Sequence, residues 1–479
     1  MDSAAPKTVA VYTLGCKVNQ WESQSIMDAF RRKGWQPADF DGPASVYIVN
    51  TCTVTSAADQ KSRKAIRGAK KRNPGSLLVV TGCYAESGKR ALEGLGEIDL
   101  ALGNAMKEKL PELVEKALAE RAAAQGAAAE KAAAPKTKAV PGALSGIDRT
   151  RATLKIQDGC RQYCSYCIVP YVRGELRSMP RVEVIRRVAV MEAAGYREVV
   201  LLGIHLGAYG QGVYGAEAWG AEAGSVEAHN ADAGGCETAS TAAGEDERLA
   251  GLLEELLRSY PGIRFRLGSL EPMEASDKLI ALIGAYPNAC KHLHLPLQSG
   301  SDKILQAMNR PYSADGYRAK VQAIRDLIPD IALTTDVMVG FPGEGEEEFR
   351  QSLAFAEEMA FSRTHVFAYS RRSGTPAAGM PGQVPKGVKD RRSEEFIRAG
   401  EVMKQNYGDG WIGRRLEALM EEELGGGTWS GHSGNYLEVT YTPGQGDRGY
   451  ADDIKGMVLP LRIAGRSKVK PGAWQGIIG

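Results

Sequence analysis

The stretch DGCRQYCSYCIVPYVRG, residues 158–174, carries Cys160, Cys164 and Cys167 in a C-x3-C-x2-C spacing with no fourth cysteine. Thiolates are soft ligands that suit zinc or iron–sulfur centres. A structural zinc ion takes four ligands, and a four-iron cube takes one thiolate on each iron. Three thiolates on a cube leave one iron open to a substrate or cofactor, a vacancy of no use to a purely structural site. A zinc site would need a further ligand, and His205 could supply it. Inert core cysteines would not require this spacing. A second set stands earlier: Cys16, Cys52 and Cys83, with 35 and 30 residues between them, each closing an apolar run (VAVYTLGC, SVYIVNTC, SLLVVTGC).

Those runs read as buried parallel strands, and the segments between them as helices, ESQSIMDAFRRKGW and ADQKSRKAIRGAKKR among them. The C-terminal ends of parallel strands share one edge of the sheet, where ligands usually bind. An α/β domain over residues 1–118 would therefore gather the three cysteines. An Ala-rich stretch at 119–146 reads as a fraying helix running into a linker. Over 147–385, six strand patterns (ATLKIQDG, EVVLLGI, IRFRLGSL, KHLHLPL, IALTTDVMVG and THVFAYS) alternate with helical ones. This serial repeat predicts a partial (β/α)6 barrel with its chemistry at the C-terminal strand ends. The C-x3-C-x2-C motif begins where the first of these strands ends. Residues 207–247, rich in Gly, Ala, Glu and Asn, read as a loop insertion in which Cys236 is incidental. A charged connecting helix over 386–407 leads to 408–479, whose short runs between Gly, Pro and Asp turns predict a small antiparallel β-barrel.

Bulk properties narrow the class. At about 150 residues per domain, 479 residues suit roughly three domains. The chain is 43% hydrophobic and 25% charged, ordinary for a soluble protein with sizeable cores. A net charge of +2 leaves any nucleic-acid partner to local patches. Eight cysteines are too sparse for a disulfide scaffold, so clustered ones read as metal or redox ligands. The first residues lack the pattern of a signal peptide, and no apolar run reaches the length of a membrane span. A cytoplasmic protein with no membrane partner is expected.

The spacing of Cys160, Cys164 and Cys167 at a strand end resembles the radical S-adenosylmethionine (radical SAM) enzymes. The resemblance implies a [4Fe-4S] cluster on these cysteines whose open iron binds SAM, and a 5′-deoxyadenosyl radical formed when an electron cleaves the cofactor. Tyr166 matches the aromatic residue beside the adenine. VVLLGIHLGAYG, with Gly203 and His205, resembles the glycine-bearing second strand near the methionine part of SAM. RLGSLEP, with Ser269 and Glu271, resembles the contacts after the third strand. HLPLQSGSDKILQAMNR, with Gln298 and Ser299, and TDVMVGFPGE resemble the blocks after the fourth and fifth. The cofactor supplies the difficult chemistry; the protein orients it and excludes water.

Cys16, Cys52 and Cys83 before such a barrel, with a small β tail after it, resemble the methylthiotransferases. The resemblance implies a second [4Fe-4S] cluster on these three cysteines that carries the sulfur to be inserted. SAM would serve twice, as methyl donor and as radical source, with a low-potential electron donor such as flavodoxin or ferredoxin as partner. TLGCKVNQWES resembles the type acting on N6-threonylcarbamoyladenosine beside the tRNA anticodon. The isopentenyladenosine type tends to C-N-M-N here, and the type acting on a ribosomal-protein aspartate to G-C-P-K-N. Met179 departs from the family's usual Arg and loosens one expected contact, with Arg173, Arg177 and Arg181 keeping local positive charge. A zinc-stabilised RNA-binding protein without catalysis is the alternative of a different class.

For RNA, Lys61, Arg63, Lys64, Arg67, Lys70, Lys71 and Arg72 crowd one helical segment free of acidic residues. Like charges at i,i+3 and i,i+4 cost helix stability, which favours a phosphate partner over a merely solvated face. The C-terminal tail resembles the RNA-binding TRAM domain, with Lys455, Arg462, Arg466, Lys468 and Lys470 as its expected phosphate contacts. An anticodon loop would be read by splayed bases and backbone contacts, its target adenine leaving the stack.

Overall fold

The computed structural model describes residues 7–87, 98–126, 150–212, 248–444 and 453–478, together with Leu92 and Leu95. Five parallel strands open the chain: β1 (Thr8–Thr13), β2 (Gln36–Pro37), β3 (Val46–Thr51), β4 (Leu77–Gly82) and β5 (Leu100–Leu102), in the order β2-β1-β3-β4-β5. Every residue of β3 and β4 is buried, as central parallel strands covered on both faces must be. Helix α1 (Lys17–Arg32) places Ile26, Met27 and Phe30 on one face of the sheet, beside Val114 of helix Leu110–Gly126. Helix α2 (Ser56–Arg72) packs Ile66 and Ala69 on the other face. Residues 119–126 continue helix Leu110–Gly126, and the remainder of the expected linker lies outside the described residues.

The second region is an arc of six parallel strands: β6 (Ala152–Asp158), β8 (Glu198–Gly203), β9 (Arg264–Leu267), β10 (His292–His294), β11 (Ala332–Val339) and β12 (Arg363–Ala368). The bridges Phe265–Ala289 and Ser269–His294 join β9 to the β10 side. A short β7 (Arg177–Ser178) runs antiparallel to β6. This is the expected partial barrel. Alternate residues such as Leu154, Leu201, Phe265 and Leu333 face outward into one core with the covering helices. Met179 is fully buried in that same core. The Met that stands where the family usually has Arg is thus an apolar packing residue. Of the expected insertion, Leu206–Ala208 forms a 3-10 turn, and residues 213–247 with Cys236 lie outside the described residues.

Helix Lys386–Asp409 leads to a closed five-stranded barrel: β13 (Arg415–Gly425), β14 (Thr428–Ser433), β15 (Glu438–Tyr441), β16 (Val458–Arg466) and β17 (Trp474–Ile477). Its pairings are antiparallel except β15 with β17. The small barrel caps the N-terminal end of the large one. Tyr436, at φ 63°, lies between the rings of His292 (centroids 4.6 Å) and His432 (5.1 Å), with the Arg266 guanidinium 4.8 Å above it. Below it the fully buried Glu198 binds Arg264 (2.6 Å) and Arg266 (2.8 Å), and Arg266 Nη2 donates to Ser433 O (3.0 Å).

Candidate active site

The strand β6 delivers its cysteines through one tight turn. Gly159 has φ 79°, and a Cβ there would lie 2.0 Å from Glu175 O, so only glycine fits. Cys160, Cys164 and Cys167 follow, and helix Val169–Arg173 comes directly after. All three thiols are free. Each sulfur accepts a hydrogen bond from nitrogen: Gln162 N to Cys160 (3.5 Å), Arg310 Nη1 to Cys164 (3.1 Å) and Val169 N to Cys167 (3.4 Å). Burial pushes the Cys167 thiol up to about 12, so the free thiol stays protonated at neutral pH. A bound metal would displace that proton, and N–H donors aimed at sulfur suit the resulting thiolate.

The second set is assembled by the N-terminal sheet. Cys16 caps α1 after β1, Cys52 follows β3 and Cys83 follows β4, all at the C-terminal edge. Gly15, at φ 101°, lets the first loop lie on the second: a Cβ there would sit 2.7 Å from Cys52 Sγ. Asn19 Nδ2 ties both loops together by donating to Leu14 O (2.7 Å) and Thr51 O (2.9 Å). Burial raises the Cys52 pKa, and the neighbouring Cys83 and Cys16 add to the rise while the Val54 backbone N–H opposes it.

The two sets share an interface. Cys83 packs against Ile168, the residue after Cys167, and against Val172. Asn104 bridges there, its Nδ2 3.9 Å from Cys83 Sγ and donating to Val172 O (2.8 Å). Among the described residues, no three His, Cys, Asp or Glu side chains converge where a single metal ion would sit. A tetrahedral zinc at about 2.3 Å from each sulfur would draw its thiolates together, whereas a cube spreads them because each binds its own iron. His205 lies with Nδ1 4.0 Å from Cys160 Sγ, and its Nε2 is engaged by Glu274 (2.6 Å). Three free thiols, each accepting from an N–H donor, make a donor set that fits the thiolates of an iron–sulfur cluster.

Two family models match the chain, the uncharacterized protein family UPF0004 over residues 8–103 and the radical SAM superfamily over 154–356. The threonylcarbamoyladenosine tRNA methylthiotransferase MtaB of Bacillus subtilis is 36% identical over 461 residues, covering 95% of this chain and 93% of the relative. The chain belongs to the radical SAM methylthiotransferase family. The MtaB of Aquifex aeolicus is 33% identical (87% of this chain, 93% of the relative). The tRNA-2-methylthio-N(6)-dimethylallyladenosine synthase of Methylacidiphilum infernorum is also 33% identical (87% and 84%). The radical SAM methyltransferase TsrM of Kitasatospora setae shares the fold at a TM-score of 0.53, with 13% identity over 78% of this chain and 77% of that one. The protein is thus an enzyme, a transferase, and radical SAM membership implies SAM and a [4Fe-4S] cluster.

Within this methylthiotransferase the residues expected to meet SAM lie in the cysteine loop, at or after the end of β8, and after β9 and β10. Tyr166 packs against Ile304, Met308 and Phe341. A Cβ on Gly203 would lie 2.8 Å from Leu206 Cα, which explains glycine there. Ser269 is exposed beyond β9, and Gln298 holds a strained φ of 62° between Asp336 O and Met338 N. Glu271 is ion-paired with Arg310, the guanidinium that also reaches Cys164. Ser299 must be corrected: it is fully buried and its hydroxyl bonds Ser352 Oγ (2.8 Å), so it braces a helix and does not face the site. Arg310 closes the HLPLQSGSDKILQAMNR block, but nothing in that block points to Cys164, and Asn104 carried no signal, because each is brought to its cysteine by a distant segment.

The basic residues divide. On α2, Arg63 bonds Tyr84 Oη (3.1 Å), Lys70 pairs with Asp99 (2.8 Å) and Arg72 with Asp41. Lys61, Lys64, Arg67 and Lys71 are exposed. In the small barrel Lys455, Arg462 and Lys468 are exposed, whereas Arg466 pairs with Asp409 and Lys470 with Glu438. Arg173, expected to keep local positive charge, is buried among carboxylates. Among the described residues no helix is long and apolar enough to cross a membrane.

Proposed function

We propose that the protein adds a methylthio group to C2 of N6-threonylcarbamoyladenosine at position 37 of tRNA. In this reading Cys160, Cys164 and Cys167 hold one [4Fe-4S] cluster, and Cys16, Cys52 and Cys83 hold a second. The observation that carries it is the contact of Cys83 with Ile168 and Val172, which sets the two thiol triads on one shared interface. An unactivated aromatic C–H bond resists acid–base chemistry at neutral pH. With SAM bound, the clusters would supply a hydrogen-abstracting radical and a sulfur within reach of one another. The chain's own residues shape that space. Arg310 and the Gln162 and Val169 amides offer donors to the thiolates of the first triad. Tyr436 stacks on His292 at the far end of the barrel, with the Arg266 guanidinium over its ring.

The MtaB relatives and the TLGCKVNQWES block support the threonylcarbamoyl substrate. For the RNA itself, Lys61, Lys64, Arg67 and Lys71 form an exposed stripe on α2. Asp59, near the start of that helix, is ion-paired with Arg372 beyond β12. Thr53, the residue after Cys52, also donates to Asp59 (2.9 Å), so the stripe begins beside the loop of Cys52.

Mass spectrometry of nucleosides from cells with and without the gene tests the reading. Loss of 2-methylthio-N6-threonylcarbamoyladenosine with accumulation of its unthiolated precursor is expected. Loss of a different methylthio nucleoside would overturn the substrate, and no change in any of them would overturn tRNA as the target.

A further inference from the structure

Between the two cysteine triads lies a cluster of buried charges. Glu22 of α1, Lys107, Arg173, and Lys155 and Asp158 of β6 are each less than one-tenth exposed. Arg173 Nη1 donates to Glu22 Oε1 (2.6 Å) and Asp158 Oδ1 (3.2 Å), and Nη2 donates to Asn19 Oδ1 (2.6 Å). Lys155 Nζ donates to Glu22 Oε1 (2.9 Å) and Asp158 Oδ2 (3.0 Å), and Lys107 closes on the second Glu22 oxygen.

Stability alone is a poor reason for this arrangement. Burying ions costs desolvation that their attraction barely repays, and a well-packed apolar set of similar volume is often as stable or more so. The same interface already has such a set, with Val18 and Trp21 of α1 packed on Val200, Leu202 and Ile204. Apolar contacts hold surfaces together without fixing register; a planar guanidinium with several short bonds fixes direction and distance.

What this guanidinium joins gives the cluster its meaning. Asn19 Nδ2 binds Leu14 O and Thr51 O, in the loops that carry Cys16 and Cys52. Asp158 Oδ1 accepts from Gly159 N (2.9 Å), one residue before Cys160. Arg173 itself ends the helix that follows Cys167, and the preceding carbonyl, Val172 O, binds Asn104 beside Cys83. One side chain therefore connects the segments of both triads through single intermediaries.

We propose that Arg173 is a positioning residue that, through Glu22, Asn19 and Asp158, sets the separation and orientation of the two cysteine triads. The proposal rests on the two-cluster reading above. Sulfur transfer depends on that spacing, whereas cleavage of SAM at the barrel cysteines does not.

Arg173→Met, Arg173→Lys and Glu22→Asp test it in the full-length, reconstituted enzyme. Three quantities are measured: iron content, 5′-deoxyadenosine formed per methylthiolated product, and the magnetic interaction between the two reduced clusters by electron paramagnetic resonance. Arg173→Met should keep about eight irons and cleave SAM within about twofold of wild type, yet lose product about a hundredfold, the scale of an ångström-level misplacement. Its inter-cluster interaction should change. Arg173→Lys keeps the charge without the planar fork and should fall between. Glu22→Asp keeps every charge and shortens one reach by a methylene; it should raise the same ratio by a smaller factor, and it serves where the Met variant does not fold. Equal losses of SAM cleavage and product, with the magnetic interaction unchanged, would overturn the proposal. A wild-type protein holding only about four irons would overturn the two-cluster reading, whatever the variants do.

Discussion

The two cysteine triads are built by opposite means. Cys160, Cys164 and Cys167 lie within eight consecutive residues of one loop, their geometry set by a turn at Gly159 and a short helix. Cys16, Cys52 and Cys83 meet only because β1, β3 and β4 are parallel neighbours. A local triad keeps its spacing as long as its loop survives. A triad drawn from three strand ends depends on sheet register, because a small slip of any one strand moves its thiol away. The first therefore tolerates distant damage, and the second is sensitive to any weakness in the N-terminal core.

Direct removal of the proposed ligands gives the largest expected effects. Cys164→Ala and Cys52→Ala should each leave about four of about eight irons. Cys164→Ala should abolish SAM cleavage; Cys52→Ala should still cleave SAM without making product. Methylthiolation retained by Cys52→Ala would break the comparison at its root.

Glu198→Gln lies at the far end of the barrel and should touch neither triad. Leaving Arg264 and Arg266 without their carboxylate costs about 3–5 kcal/mol, read as a lower melting temperature with iron content unchanged. Despite burial, which raises it, Arg266 and Arg264 hold the Glu198 carboxyl at about 2. A carboxylate depressed in the folded state contributes stability in full above its ordinary pKa and loses it as pH falls towards 2. Melting temperature should therefore fall less steeply in that window for Glu198→Gln than for wild type.

Gly15→Ala separates the triads more gently. Its Cβ would press on Cys52 at a left-handed φ, at a cost of about 1–3 kcal/mol. The irons of the second triad should be released at a lower denaturant concentration than those of the first, with SAM cleavage retained. Simultaneous loss of both sets would show that they unfold as one unit.

The smallest effect belongs to the surface. Lys64→Ala and Lys71→Ala should leave iron, stability and SAM cleavage unchanged. Each should lessen the salt dependence of tRNA binding by a slope of about 1, measured by titration at several salt concentrations. An unchanged slope would remove α2 from the RNA path.

Much of this was legible along the chain. The apolar runs before Cys16, Cys52 and Cys83, and the six repeats beyond, specify parallel strands, since residues buried on both faces leave little choice of type. The C-x3-C-x2-C spacing specifies one three-thiol loop because its cysteines are sequence neighbours. Tertiary structure decided what no local pattern encodes. It put Arg310 on Cys164, turned Ser299 towards Ser352, buried Met179 in the core and seated Tyr436 in the floor of the barrel. It also carried the positive charge of Arg173 into a buried contact with Glu22, 151 residues away. Charge is a property of a residue type, readable one letter at a time. Whether that charge meets water, phosphate or a buried carboxylate depends on which distant segment folds against it.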